Sequence, residues 1–266
     1  MTMIKAKELL EKGQLSKAIK EMTQEVKAHP ADSRSRTFLF ELLCFAGELD
    51  RAKKQLEGLD AQDPKADLGI DFYRKVLKAE QVRQQLFSKG TVPKLLGPCP
   101  VHVQGHLDAL LQIQEGNFSQ AQELLTKAEE LRPGLQGTID GSTAGGFMDL
   151  DDLLAPVLEI IMQDQYYWVP FSQIRKISIT PPKHLRDLLW VPAQLETTEK
   201  AVGVVVPVLY PGSSMAEDEL VKLGRVTDWK QEEGLTLGVG QHLFGFNELD
   251  KGILEIQEMT FSTVET

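Results

Sequence analysis

Only two cysteines, Cys44 and Cys99, occur in 266 residues. They cannot form a disulfide framework, and they do not have the Cys-x-x-Cys spacing of zinc or redox sites, which suits a reducing compartment. Both are expected to be plain buried thiols. No run approaches the ~20 apolar residues that a membrane span requires. The opening segment, Met1 to Lys12, is charged and amphipathic rather than a signal peptide, so the protein is expected to stay in the cytoplasm. There is no Gly-x-x-x-x-Gly-Lys-Ser/Thr phosphate loop and no Gly-x-Ser-x-Gly nucleophile elbow, so neither ATP hydrolysis nor serine-hydrolase chemistry has its usual carrier. Gly238-Val-Gly240 begins like a dinucleotide loop, but Leu243 stands where the last glycine belongs. No cofactor is implied.

Positive charge is scarce in the second half. Residues 1–136 carry 20 Lys+Arg against 19 Asp+Glu, a net of +1, whereas residues 137–266 carry 9 against 20, a net of −11. The acidic half repels phosphate backbones and the near-neutral half offers no basic cluster, which excludes nucleic acid as a partner. All three tryptophans also lie in the acidic half, and helix formers dominate the other. Two modules are expected, a helical one over 1–136 and an aromatic-rich one over 137–266.

What is present in the first half is a period. Gly13-Gln-Leu-Ser-Lys-Ala18, Gly47-Glu-Leu-Asp-Arg-Ala52 and Gly116-Asn-Phe-Ser-Gln-Ala121 share Gly-x-apolar-x-x-Ala at offsets of 34 and 69 residues. Pro30, Pro64 and Pro133 each follow 17 residues after the glycine. A 34-residue period resembles the tetratricopeptide repeat, a pair of antiparallel helices. Glycine ends the first helix where positive φ is needed, alanine admits close packing, and proline stops the second helix. The 69-residue gap is expected to hide one further, degenerate repeat ending at Pro98, with Gly97-Pro-Cys-Pro100 as a break.

Stacked repeats form a curved solenoid whose inner surface suits a peptide or a helix. Repeat geometry puts Arg34, Thr37, Glu41, Cys44 and Phe45, and Val103, His106, Leu110 and Ile113, on that inner face. The alternative is that these residues pack against the second module.

In the second half, Gly137 to Gly146 is turn-rich, and Leu153, Leu154, Val157, Leu158 and Ile161 have helical spacing, with Asp149 and Asp151 placed to cap a helix start. β-type runs follow at Tyr166–Pro170, Ile174–Ile179, Val202–Val208 and Leu254–Phe261, with short helices expected at Lys183–Trp190 and near Ala216–Lys222. The fold class is therefore α+β: a tetratricopeptide-like array, then a mixed domain with a partly antiparallel sheet or barrel.

Chemistry is sparse. Asp149-x-Asp151-Asp152 could hold a hard cation, and with His184 would make a metal-dependent hydrolase, although the ligand spacing of a calcium loop is absent. His184 and Asp187 lie three apart on a short helix without a nucleophile beside them. Arg186 with Asp187 near Trp190, and Arg225 with Asp228 near Trp229, could form local ion pairs against indole rings or exposed anchors.

Taken together, several stretches look like one family. Asp140-Gly-Ser142, Asp149-x-Asp151-Asp152, Tyr167-Trp-Val-Pro170, Leu185-Arg-Asp-Leu-Leu-Trp190, Leu209-Tyr-Pro-Gly-Ser213 and Leu223-Gly-Arg-x-Thr-Asp-Trp229, after Leu39-Phe-Glu-Leu-Leu-Cys-Phe-Ala-Gly47, resemble the ImpE/SciE family, also called TagJ. The resemblance runs from about Lys7 to about Gln241. It implies an accessory component of bacterial type VI secretion without enzymatic activity. It further implies a cytoplasmic adaptor that binds the N-terminal helix of the small contractile-sheath subunit and is linked to the AAA+ ATPase that disassembles sheaths. A groove accepting an amphipathic helix is the physical mode for that task.

Overall fold

A computed structural model describes residues 2–59, 64–88 and 90–263. Helices α1 (Thr2–Glu11) and α2 (Leu15–Ala28) form the first hairpin, and α3 (Ser33–Phe45) and α4 (Leu49–Glu57) the second. The long α5 (Pro64–Leu86) follows, then the short strand β1 (Lys94–Leu95) and a third hairpin of α6 (Val101–Gln114) and α7 (Phe118–Glu130). Leu15, Ala18, Ile19, Met22 and Val26 recur at helical spacing on α2 and are all buried, so this helix forms because one apolar stripe is covered. Asp32 caps α3 by accepting from the Arg34 N–H at 3.1 Å. Gly13, Gly47 and Gly116 all adopt positive φ, between 71° and 79°, at the bend of their hairpins. Ala18, Ala52 and Ala121 are fully buried.

The 69-residue gap does not hold a further hairpin. A single 23-residue helix, α5, fills it, and Pro64 starts that helix rather than stopping the one before. Proline is tolerated in a first turn because the N–H it removes has no partner there, so its position alone does not distinguish an end from a start. The chain then leaves helix altogether, since β1 joins the sheet beside Tyr167 and Trp168. Gly97 to Pro100 is a loop, as the two prolines require, and it leaves Cys99 exposed; only Cys44 is a buried thiol.

Beyond Leu131 the strands run β2 (Leu135–Ile139), β3 (Ser142–Gly145), β4 (Met148–Asp149), β5 (Val157–Met162), β6 (Gln165–Pro170), β7 (Ile174–Ile179), β8 (Trp190–Thr197) and β9 (Ala201–Pro207). A one-turn helix α8 (Glu219–Lys222) precedes β10 (Asp228–Glu232), β11 (Leu235–Val239), β12 (Leu243–Phe246), β13 (Leu249–Gly252) and β14 (Glu258–Thr263). Nine strands make one sheet in the order β1-β6-β5-β9-β8-β7-β14-β2-β3, antiparallel throughout except at β1–β6. β10–β11 and β13-β12-β4 form two smaller sheets. The fold is thus α+β, with a tetratricopeptide-like helical part and a largely antiparallel sheet.

The helix expected over Leu153–Ile161 is instead a turn followed by β5. Every residue from Val157 to Ile161 is buried, and a strand covered on both faces shows no alternation, so its apolar run imitates a helix. The expected runs at Tyr166, Ile174 and Val202 are β6, β7 and β9. The last run becomes a strand only from Glu258, because Ile253–Glu255 is a 3-10 turn. Leu185–Leu188 is likewise 3-10, and Trp190 already belongs to β8. The turn-rich segment at Gly137 is the β2–β3 hairpin itself, whose two-residue loop, Asp140-Gly141, has φ of 50° and 80°.

One cluster of buried apolar side chains runs from α1 through to β14. Within it Phe147 meets Phe171, Phe244 and Phe261 at centroid distances of 4.8, 5.4 and 4.9 Å. At the β2–β14 pairing a Cβ on Gly137 would lie 1.7 Å from the Thr260 carbonyl oxygen, so only glycine allows that register. Gly137→Ala is expected to lower unfolding stability by about 3 kcal/mol or more in urea titrations, because backbone rather than a flexible side chain must give way.

Candidate functional site

Four of the nine inner-face residues of the repeats, Glu41, Cys44, Phe45 and His106, lie against the chain's own second half. Glu41, Cys44 and Phe45 on α3 and Val103, His106 and Leu110 on α6 are buried; Thr37 and Ile113 are half-buried, and only Arg34 is exposed. Glu41 binds Arg186 at 2.8 Å, and the His106 Nδ1 lies 2.7 Å from the Leu153 carbonyl oxygen. At these four positions the trough expected from repeat geometry is occupied by residues of the sheet-bearing half. The physical reason is that the sheet and its 3-10 turn present apolar and charged groups complementary to that face.

Arg186 does not pair with its neighbour Asp187. It crosses to Glu41 and places its guanidinium 4.9 Å from the centre of the Tyr73 ring. Asp187 instead accepts from the Lys183 and His184 N–H groups, at 2.8 and 2.9 Å. Arg225 similarly reaches the Glu11 carbonyl oxygen at 2.7 Å. Both expected local ion pairs are thus long-range contacts between the two halves.

The densest chemistry is a buried chain of charges under α5. Arg83 on α5 makes a two-pronged contact with Glu159 on β5, with Nε and Nη2 each 2.8 Å from a carboxylate oxygen, and donates from Nη2 to the Leu209 carbonyl at 2.8 Å. Glu80, one turn earlier, lies 3.3 Å from Arg83 and accepts from the Trp190 indole at 3.2 Å. Glu159 also accepts from the Tyr166 hydroxyl, which in turn accepts from the Trp168 indole at 2.6 Å. The other Glu159 oxygen lies 2.9 Å from His242 Nε2, and His242 Nδ1 lies 2.7 Å from Asp149. Asp149 accepts from the Tyr210 hydroxyl at 2.7 Å and from the Asp151 N–H at 2.9 Å. Arg83, Glu159, His242 and Asp149 are all at most 5% exposed.

Burial alone lowers an imidazole's pKa, but carboxylates on both ring nitrogens outweigh it and push His242 up to about 9. Burial alone raises a carboxyl's pKa, yet the Arg83 guanidinium and the His242 ring bring Glu159 down to about 2. Asp151 goes the other way: burial and the neighbouring Asp149 charge raise it to about 7, against the N–H groups of Gly238 and Leu154. His242 and Glu159 are thus both ionised at neutral pH.

The aspartates considered for a cation are committed elsewhere. Asp151 accepts from Leu153, Leu154 and Gly238 N–H groups at 2.9, 3.1 and 2.7 Å, and Asp152 accepts from Thr236 N–H at 2.6 Å. Among the described residues, no three His, Cys, Asp or Glu side chains are arranged to hold a metal ion. His184 is exposed, and the histidine that meets Asp149 is His242. His242, Glu159, Glu80 and Arg83 were missed because each is a single charged residue in an apolar or helical context, 76 to 83 positions from its partner for the Arg83–Glu159 and Glu159–His242 pairs. A lone Glu inside Val157-Leu-Glu-Ile-Ile161 was the one visible signal.

Removing one member strands the others. Arg83→Met is expected to cost about 3–5 kcal/mol in chemical denaturation, and Arg83→Met with Glu159→Leu clearly less than the two single changes summed. The pH dependence has a definite sign. His242 is raised from 6.5 to about 9, so its contribution is complete below about pH 6.5 and is lost as pH climbs through 9. Glu159 is lowered from 4.5 to about 2, so its contribution is present above about pH 4.5 and is lost as pH falls through 2. Asp151 adds a decline of the same sign as His242 that ends near pH 7. Above that point the loss of unfolding free energy should be His242's, and His242→Asn is expected to flatten it.

Among the described residues, no helix is long and apolar enough to cross a membrane. A family model described as "ImpE protein" matches residues 141–260, and a tetratricopeptide repeat model matches residues 9–69. The type VI secretion system accessory component TagJ of Pseudomonas aeruginosa is 31% identical over 261 residues, covering 98% of this chain and 92% of that protein. A crystal structure of a Vibrio parahaemolyticus protein superposes with a TM-score of 0.88 at 26% identity, covering 98% of both chains. The overall fold thus recurs over 98% of a solved relative, and the chain belongs to the ImpE/TagJ family of type VI secretion accessory proteins.

Proposed function

We propose that this chain is a non-catalytic cytoplasmic adaptor that binds the N-terminal helix of the small contractile-sheath subunit and links the sheath to its AAA+ disassembly ATPase. Family membership supports the secretion role. The observation that supports a helix as ligand is an apolar groove of about 290 Å³ between α5 and the sheet, lined by Phe72, Ile161, Pro192, Ala193, Val204 and Val205. Leu68 and Phe72 stand one turn apart on α5 and are 72% and 42% exposed, which is the spacing at which an amphipathic helix sets its anchors.

In this reading residues 1–136 and 137–266 divide labour rather than folding. The helical part contributes one wall of the groove, the sheet the other. Arg34, Thr37 and Ile113 are the inner-face residues that solvent still reaches, and none of them lines this groove. The carboxylates considered for hydrolysis, Asp149, Asp151 and Asp152, fasten turns and strands within the second half.

The test is titration of a peptide copying the sheath subunit's first helix into the intact protein. Phe72→Asp is expected to weaken binding by about tenfold or more, since it puts a charge in a desolvated anchor position. Unchanged affinity in Phe72→Asp would move the docking surface off α5, and no binding by the intact protein would remove the sheath-helix reading. Recovery of the ATPase with the protein only when the sheath subunit is present, or also without it, fixes the order of assembly.

A further inference from the structure

The nine-stranded sheet ends in two edges, β1 and β3, and an edge presents main-chain donors and acceptors to any strand that reaches it. β1 is blunted by its own sequence: it is two residues long, follows Pro93 and carries Lys94. β3 has none of these features, since Ser142-Thr-Ala-Gly145 is uncharged and free of proline. The register shows which of its groups face outwards. Ile139 and Ser142 flank the two-residue loop Asp140-Gly141, so they exchange both main-chain hydrogen bonds, and the alternation of an antiparallel ladder then turns the N–H and C=O of Thr143 and of Gly145 away from β2. Those four groups are the open edge.

Asn247 occupies three of them. It sits at the tip of the β12–β13 hairpin, where its N–H donates to the Gly145 carbonyl at 3.1 Å, its Oδ1 accepts from the Gly145 N–H at 2.9 Å and its Nδ2 donates to the Thr143 carbonyl at 2.7 Å. One exposed residue thereby gives β3 the bonds that a neighbouring strand would give. Asparagine suits the position because its short side chain carries both an acceptor and a donor and tolerates the φ of 46° at the hairpin tip. The tip is fixed over β3 by the pairing of β12 with β4 and by Lys251 Nζ, 3.1 Å from Asp140 in the β2–β3 loop. β13, an edge of the smaller sheet, is treated in the same way, with Glu255 accepting from the Gly252 N–H at 2.8 Å.

We infer that Asn247 closes the β3 edge against strand pairing with a second copy of this chain. The excluded occupant follows from the register. Two β3 strands related by a two-fold axis at Ala144 would set Thr143 of one copy opposite Gly145 of the other, and that antiparallel pairing uses all four outward groups of each strand. Asn247 holds three of the four, so pairing cannot begin while the hairpin tip is in place. The inference does not depend on which protein the groove beside α5 receives, because β3 takes no part in that groove.

The test compares the intact protein with its Asn247→Gly variant. Glycine adopts positive φ at no steric cost, so the hairpin tip persists while both side-chain bonds to β3 are lost. Amide exchange at Gly145 in dilute solution is expected to quicken by about fivefold or more. The weight-average sedimentation coefficient of the variant should rise with concentration more steeply than that of the wild type. Adding Thr143→Pro removes one outward N–H without touching the ladder to β2, and should restore wild-type sedimentation. Unchanged exchange at Gly145 in Asn247→Gly, or faster exchange with wild-type sedimentation, would overturn the inference, and these two readouts decide even where the double variant misfolds. Association that survives Thr143→Pro in a folded double variant would place the contact elsewhere and overturn it as well.

Discussion

The two-pronged ion pair between Arg83 and Glu159 is the constraint that the rest of the molecule accommodates. Two charges removed from water cost several kcal/mol each, and their attraction compensates only if every remaining donor and acceptor is also engaged. That requirement propagates outwards. Two further Arg83 N–H groups need Glu80 and the Leu209 carbonyl, Glu80 needs Trp190, and the second Glu159 oxygen needs His242, which then needs Asp149. Helix α5 therefore cannot slide or rotate on the sheet without breaking a set of bonds at once. Apolar packing would hold α5 with equal strength but in several registers; directional bonds hold it in one.

The same constraint explains why α5 takes the place of a regular repeat. A helical hairpin in that position would bury its own apolar face against its neighbours and leave nothing for the sheet. A single long helix has a second side to offer, and the extended segment after it supplies β1, which extends the sheet beside β6. The second half also attaches to the repeats at their bends. Ser16 and Ser119, each three residues after a repeat glycine, receive the carboxylates of Glu219 and Glu233, which cap α2 and α7 from outside the repeat. The equivalent Asp50 meets Gln81 of α5 at 3.0 Å. The same motif position is thus read three times, twice by the sheet-bearing half and once by α5.

What could be read from the chain follows the range of the interactions responsible. Hairpin bends were legible because glycine with positive φ and a buried alanine are local needs, repeated at a constant period. β6, β7 and β9 were legible from β-branched and aromatic runs. β5 was not, since Val157 to Ile161 is buried on both faces and carries no alternation. The hairpin loops Gln163-Asp164, Glu233-Gly234 and Asn247-Glu248 place non-glycine residues at positive φ, so the usual glycine signal is weak or absent at each. The buried charge chain was invisible for a different reason. Its members are scattered from Glu80 to His242, and only the fold brings them together. The arginines beside Trp190 and Trp229 were noticed, but a local partner was assumed where the real one lies across the seam.

A tetratricopeptide solenoid whose inner face is covered by its own chain has to recruit partners differently from an open one. Opening the trough would expose Glu41 and His106 without their partners and would pull α5 from Glu159, so the cost includes stranded buried charge as well as lost apolar contact. An adaptor that must release its ligand repeatedly gains nothing from such a step. Surfaces formed jointly by the helical part and the sheet avoid it: each wall is already rigid, held in register by the charge chain, and the ligand meets a preformed cleft rather than an equilibrium it must shift. The seam therefore does for binding what the repeat interior does in an open solenoid, and the rigidity of the Arg83–Glu159 contact is what makes a cleft at the seam preorganised.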